Sequence, residues 1–223
     1  MRYRAHIVAS VLIILAMAGI AAAALAQLPP GTRLPTHWGI DGRPDRYAGA
    51  AFALFGPVAL TAFVSLLMAA LPAIEPLQDR MEASAPLYRT AWSGVLAMMV
   101  FAQSMVVAAA LGVALPGGIV LAAVGVFFIV LGNALPKSRP GFFVGIRTPW
   151  TLTDPENWIA THRYAARVMI AGGAALILLT VVPIDDGARA SLRIATILMV
   201  ATTPVIYSYL LWRRARRSPM RRG

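Results

Sequence analysis

The apolar positions of this chain fall in long unbroken runs, without the alternation of a half-buried strand or the three-to-four spacing of a half-buried helix. Six runs approach or reach the ~20 residues a membrane-crossing helix needs: Ile7–Gln27, Ala51–Leu71, Ala91–Ala114, Gly118–Ala134, Tyr164–Val182 and Leu192–Trp212. This predicts an all-α fold, a polytopic membrane bundle of about six transmembrane helices. The short alternating segments of a β-barrel are not seen. Between the third and fourth runs, Leu115-Pro116-Gly117-Gly118 predicts a tight turn and an antiparallel helix pair. Two longer polar passages break the pattern, Leu28–Gly49 and Asn133–Arg163.

Composition agrees with this reading. Hydrophobic residues make up 59% of the chain and charged residues 13%, against about 25% charged in a soluble domain. Mean hydropathy is +0.70. The formal charge of +11 would suggest nucleic acid in a soluble protein, but here the cations flank the apolar runs. With the N-terminus inside, one side of the membrane receives Arg2, Arg4, Arg80, Arg89, Lys137, Arg139, Arg147, Arg163, Arg167 and the arginines of the tail. The other receives only Arg33, Arg43, Arg46, Arg189 and Arg193. The positive-inside rule then makes both termini cytoplasmic. The basic tail, residues 214–223, meets the anionic inner leaflet, and no direct nucleic-acid binding is expected. Arg2 and Arg4 ahead of an apolar run, with Ala24-Leu25-Ala26 behind it, imitate a signal peptide. The run is of full span length, however, and predicts an uncleaved first helix.

The chain has no cysteine, which removes disulfides, thiolate metal sites and thiol nucleophiles. Only Arg167 lies inside a span boundary, where its side chain can snorkel. This lack of intramembrane charge weighs against an ion-coupled transporter. Gln103, Ser104 and Asn133 read as interhelical hydrogen-bonding groups.

Leu28–Gly49 lies outside, and its Pro and Gly punctuation predicts a series of turns. Asp41-Gly42 is a turn dipeptide, and Pro44 stiffens the residues after it. Trp38 and Tyr47 suit the headgroup level, so the passage reads as an interfacial cap. His37, Asp41 and Asp45 are of the right types for a metal or proton site. One imidazole is too few for a tight zinc centre, and neither metal nor cofactor is expected.

In Asn133–Arg163, Pro136 ends the fourth span and Lys137 and Arg139 mark its cytoplasmic border. Pro140 opens a turn, Phe142 and Phe143 dip back toward lipid or the bundle, and Gly145 permits a bend. Arg147-Thr148-Pro149-Trp150-Thr151 is expected to be stiff and extended, because Pro149 disfavours helix at Thr148. Arg147 could stack on Trp150 or hold an anion. Thr153 or Asp154 is expected to cap a helix beginning at Pro155, with Glu156 completing a capping box with Thr153. That helix continues into the fifth span and puts Trp158, Thr161, His162 and Ala165 on one face. Asp154, Glu156, His162 and Arg147 are types a membrane-interface enzyme would use. No HExxH, GxSxG, P-loop or paired-carboxylate spacing accompanies them. A structural cap over helices four and five, and a docking surface for a partner, are the stronger readings.

These residues carry a resemblance. Asn133-x-Leu135-Pro136-Lys137-x-Arg139-Pro140, then Gly145-Ile146-Arg147-Thr148-Pro149-Trp150-Thr151-Leu152, then Glu156-Asn157-Trp158 and Thr161-His162-Arg163, resemble the signature of the SdpI family. Gly141 departs from it, standing where the family usually has Asn. The loop pattern Leu34-Pro35-Thr36-His37-Trp38, Gly42-Arg43-Pro44-Asp45 and Tyr47 is similar to the short domain of unknown function that often precedes that module. The resemblance implies an N-terminal two-helix unit over residues 1–75, a four-helix module over 88–213 and the basic tail. It also implies a non-enzymatic, multi-pass protein of a bacterial cytoplasmic membrane. The family's founding member gives immunity to a secreted toxic peptide and signals by holding a regulator at the membrane. Partners expected here are therefore the lipid bilayer, a toxic peptide outside and a cytosolic regulator inside. A transporter or exporter of amphipathic molecules is the alternative.

Overall fold

A computed structural model describes residues 3–75, 78–141 and 143–217. Arg2, Phe142 and the tail cations Arg221 and Arg222 lie outside these residues, as does the side chain of Arg80. The chain forms α1 (Arg4–Leu25), a hairpin of β1 (Arg33–Trp38) and β2 (Pro44–Gly49), then α2 (Ala50–Ile74) and the short α3 (Gln78–Ala83). Next come α4 (Ala85–Ala110), α5 (Ile119–Ala134) with a 3-10 turn over Leu135–Lys137, the single turn α6 (Pro149–Thr153), α7 (Pro155–Leu178) and α8 (Asp186–Arg217).

Among the described residues, α1, α2, α4, α8, and α5 with its 3-10 turn are long and apolar enough to cross a membrane. These five candidate spans establish a mostly helical membrane protein. α7, expected to hold the fifth span, is not one of them. Its opening turns are polar, and the apolar part from Tyr164 ends at Leu178. Leu12, Leu15, Phe52, Phe63 and Leu66 are all more than half exposed on α1 and α2. Such a patch is a liability in water and is matched in hydrocarbon.

Three buried apolar clusters organise the described part of the bundle. Met17, Ala21, Leu54 and Val106 bring together α1, α2 and α4, and Leu34 of β1 closes that core at one end. Gln103 reaches across it, its side-chain amide donating to the Met17 carbonyl at 2.7 Å. The interhelical role expected of Gln103 is therefore seen. The Ser104 hydroxyl instead donates to Phe101 in its own helix, and Asn133 is exposed. Neither matches the expectation, because both face away from the neighbouring helix.

α5 and α7 make the closest approach. Gly125 and Gly132 lie two turns apart on α5 and face Gly173 and Ala166, two turns apart on α7. A Cβ on Gly125 would stand 2.6 Å from the Gly173 carbonyl oxygen. Lipid supplies no hydrophobic drive between helices, so this backbone-to-backbone packing is what holds the pair.

The first loop corrects the expectation of turns alone. Its two halves pair as an antiparallel hairpin, with Arg33 opposite Gly49 and His37 opposite Arg46. The Asp41-Gly42 turn sits at the tip, where Gly42 adopts φ +85° and its N–H donates to the Gly39 carbonyl at 2.9 Å. The Gly42 backbone lies directly on Gly117, in the connection between α4 and α5. Arg193, buried near the start of α8, donates from Nη1 to the Ile40 carbonyl at 2.8 Å. The hairpin, residues 111–118 and the start of α8 thus share one end of the bundle. The start of α4, residues 135–163 and the C-terminal part of α8 share the other.

Candidate functional site

The Asn133–Arg163 passage is built on Trp158, which is fully buried. Its indole N–H donates to the Ser138 hydroxyl at 3.2 Å, and that hydroxyl donates to the Leu135 carbonyl at 2.9 Å. The 3-10 turn that contains Pro136 is thereby pinned to α7. Beyond it, Ser84 brackets the next residue: the Arg139 N–H donates to the Ser84 hydroxyl at 2.9 Å, and that hydroxyl faces the Arg139 carbonyl at 3.2 Å. Pro140 is buried, and the Phe143 N–H donates to Glu75 at 3.2 Å.

His162 stacks on Trp158 with ring centroids 4.1 Å apart. Its Nε2 accepts from the Ile146 N–H at 2.9 Å, so its Nδ1 carries the proton donated to the Trp158 carbonyl at 2.7 Å. Gly145 takes φ +115°, and a Cβ there would stand 2.6 Å from both His162 Nε2 and the Trp158 ring. Only glycine lets the backbone pass over this pair without strain.

The next segment corrects a second expectation. Thr148 is extended, as the proline after it requires. From Pro149 the chain is a helical turn, not an extended arm. Thr148 and Thr151 form the capping box themselves: the Thr151 N–H donates to Thr148 Oγ1 at 3.2 Å, and the Thr148 N–H to Thr151 Oγ1 at 2.9 Å. Thr153 is consequently inside α6, its hydroxyl donating to the Pro149 carbonyl at 2.8 Å. Asp154 alone caps α7, with Oδ1 accepting from the N–H groups of Glu156 and Asn157 at 2.9 and 3.3 Å.

α8 closes the assembly. Ser208 presents its carbonyl to the Asn157 side-chain amide at 2.9 Å and its hydroxyl to that of Thr148 at 3.2 Å. Asn157 also accepts from Thr161 at 2.9 Å. Trp150 packs edge-on against Tyr209 at 5.2 Å and beside Trp212, over which Arg216 lies at 4.6 Å. Trp158, Thr161, His162 and Ala165 share one buried face, as helical spacing predicts.

The signature residues therefore divide into two sets. Thr148, Thr151, Asn157, Trp158 and His162 are buried and bonded to one another, to Ser138 or to Ser208. Lys137, Arg139, Arg147, Glu156 and Arg163 are exposed around them, with Asn133, Pro136 and Pro149. Both nitrogens of His162 are engaged and Asp154 is occupied as a cap, so these two side chains hold backbone in place. The anchors Glu75, Ser84, Ser138 and Ser208 escape sequence reading, because three of them are distant in the chain and nothing local marks any of the four.

Burial lowers the His162 pKa from 6.5 to about 4, against an opposing effect of its bond to the Trp158 carbonyl. His162 precedes the apolar part of α7. The folded protein binds fewer protons here than the unfolded chain between the two values. The stability from neutral His162 is therefore complete above pH 6.5 and is lost as pH falls toward 4, by about 3 kcal/mol. Unfolding of the purified protein at pH 7 and pH 4.5 should show this loss, and His162→Gln should flatten the slope. An unchanged slope in the variant would disprove it.

At the hairpin end, His37 Nδ1 lies 2.6 Å from Asp45 Oδ1, both about half exposed. Asp41 instead accepts from the Arg43 N–H at 3.0 Å. Pro35 is buried and Trp38 packs on the first core. Among the described residues no group of three or more His, Asp or Glu could hold a metal ion. His37 and His162 sit at opposite ends of the bundle.

Residues 137–208 match the SdpI/YfhL protein family. The chain carries an SdpI module. The matched segment runs from Lys137, the last residue of the 3-10 turn, to Ser208, and so contains α6, α7 and the α8 residues that close on them. Residues 12–62, which include the hairpin, match a domain of unknown function, DUF1648. The immunity protein SdpI of Bacillus subtilis (strain 168) is 38% identical over 50 residues, a stretch covering 22% of this chain and 24% of that protein. No solved structure matches.

Proposed function

We propose that this SdpI-module protein acts without catalysis in immunity to, or signalling of, toxic peptides or envelope stress. It sits in a bacterial cytoplasmic membrane with both termini inside and crosses it six times, α7 completing the set. Residues 1–75 form the hairpin-bearing unit, 88–213 the SdpI module and 214–223 the basic tail.

One observation carries this reading. The exposed cations Lys137, Arg139, Arg147 and Arg163 rim a base whose buried polar groups are bonded internally. A base already fixed by internal bonds beneath exposed cations favours docking a cytosolic regulator, because little backbone ordering entropy remains to be lost on binding. The hairpin on the opposite end is the corresponding external face, with Pro35, His37, Trp38, Gly42 and Asp45 shaping it.

The test is genetic. Cells lacking the gene are challenged with toxic peptides and complemented with the wild type, Arg147→Ala or His37→Ala. The wild type should restore survival at least tenfold. Arg147→Ala should lose most of that protection while reaching the membrane in normal amount. Equal survival with and without the wild-type gene would reject the immunity role. Full protection by Arg147→Ala would reject docking at this surface.

A further inference from the structure

We propose that two apolar grooves on either side of α4 form a single site for a diacyl phospholipid with an anionic headgroup. The first groove, about 630 Å³, lies between α4 and α5. The second, about 460 Å³, lies between α1 and α4. Ser93 and Ala97 line both. They are one turn apart and small, so the ridge between the grooves is low. A molecule with two chains joined at one end can straddle it.

Polar groups gather at one end of each groove. Arg89, Thr90 and Ser93 stand at the start of the first, which then runs to Phe101 past Met98 and Phe127. From residue 89 to 101 a helix rises ~18 Å, close to the half-thickness of a bilayer's hydrocarbon core, about 15 Å. His6 and Ser93 stand at the start of the second, which continues past Ile13 to Val100. The two ends are linked: the Ser93 hydroxyl lies 3.4 Å from His6 Nε2. Arg89 is exposed, with its guanidinium held over the Tyr3 ring at 6.0 Å. Among the described residues neither groove is lined by Asp or Glu.

Arg89 thus offers a fixed cation, and Ser93 and His6 offer hydrogen bonds, at the level where a phosphate would lie. Guanidinium suits a phosphate diester better than it suits a headgroup carrying its own ammonium. Apolar walls alone would accept any acyl chain. The charge selects the anionic lipid, and the shared ridge selects two chains. A helix from a second copy could also approach the small Ser93 and Ala97, and a lipid-free dimer is the outcome that would reveal it.

The site is tested on the purified full-length protein in detergent, with retained lipid counted by native mass spectrometry. The probes are phosphatidylglycerol, phosphatidylcholine, lyso-phosphatidylglycerol and soluble glycerol 3-phosphate. One phosphatidylglycerol should be retained per chain, at least tenfold better than phosphatidylcholine or the lyso-lipid, and glycerol 3-phosphate should not displace it. Arg89→Gln should abolish the preference over phosphatidylcholine. Ala97→Trp, at an exposed position that leaves the core intact, should abolish retention of both diacyl lipids. If Ala97→Trp does not fold, Arg89→Gln and the lyso-lipid decide. Equal retention of the two diacyl lipids, a preference that survives Arg89→Gln, or displacement by glycerol 3-phosphate would overturn the proposal. So would lyso-lipid held as well as diacyl lipid, or a lipid-free dimer.

Discussion

Trp158→Ala is expected to lower stability by about 3–5 kcal/mol, the cost of emptying a fully buried aromatic site. The removed ring is the floor on which Gly145 and His162 rest, at 2.6 Å from a Gly145 Cβ and 4.1 Å between ring centroids. Its N–H is also the donor that ties Ser138, and through it the 3-10 turn, to α7. Denaturant titration in detergent would read the loss. Trp158→Phe, which keeps most of the volume but not the N–H, should cost about 1–2 kcal/mol, mainly for the lost bond. A loss for Trp158→Ala smaller than that for Trp158→Phe would show that the ring is not what holds the passage.

Gly173→Leu is expected to be comparably damaging, removing about 3 kcal/mol or more through overpacking. Even a single Cβ there would stand 2.4 Å from the Gly125 carbonyl oxygen and 2.9 Å from Ile129 Cγ1. The first obstacle is helix backbone and does not swing aside as a side chain would. α5 and α7 must separate, exposing Gly125 and Gly132 and pulling Trp158 away from Ser138. Gly19→Leu is the control, because a Cβ at Gly19 meets nothing within 4 Å. Thermal unfolding of both variants should show a large drop for Gly173→Leu and little change for Gly19→Leu. Similar midpoints would refute close backbone packing between α5 and α7.

The contrast between these two glycines shows where local reading stops. Both lie in apolar runs, and neighbouring sequence does not say which one faces another backbone. Gly42 and Gly145 are more legible, because each lies in a turn-rich polar passage between apolar runs, and each takes a positive φ. The α7 face of Trp158, Thr161, His162 and Ala165 was readable from spacing alone. The extended conformation of Thr148 was readable from Pro149. The turn from Pro149 to Thr153 was not, because it depends on Thr151 bonding back to Thr148 and on Ser208 bonding across to it. In the first loop, punctuation identified the tip at Asp41-Gly42 but not the pairing of its flanks. Register there is set by Leu34 entering the α1–α2–α4 core and by Arg193 reaching Ile40.

By itself the sequence determined that this is a membrane helix bundle with two structured polar passages, and it marked the residues of the SdpI module. The bundle and its passages follow from run length, proline and glycine placement and helical period, which act over a few neighbours, whereas the module's residues were marked by resemblance. Tertiary structure alone decided that His162 is a buried, neutral acceptor rather than an interfacial base. It also decided that Ser84, Ser138 and Ser208 fasten the passage, and that α5 meets α7 backbone to backbone. These outcomes depend on which groups distant in sequence lose access to water together, and burial decides whether a polar side chain must find a partner.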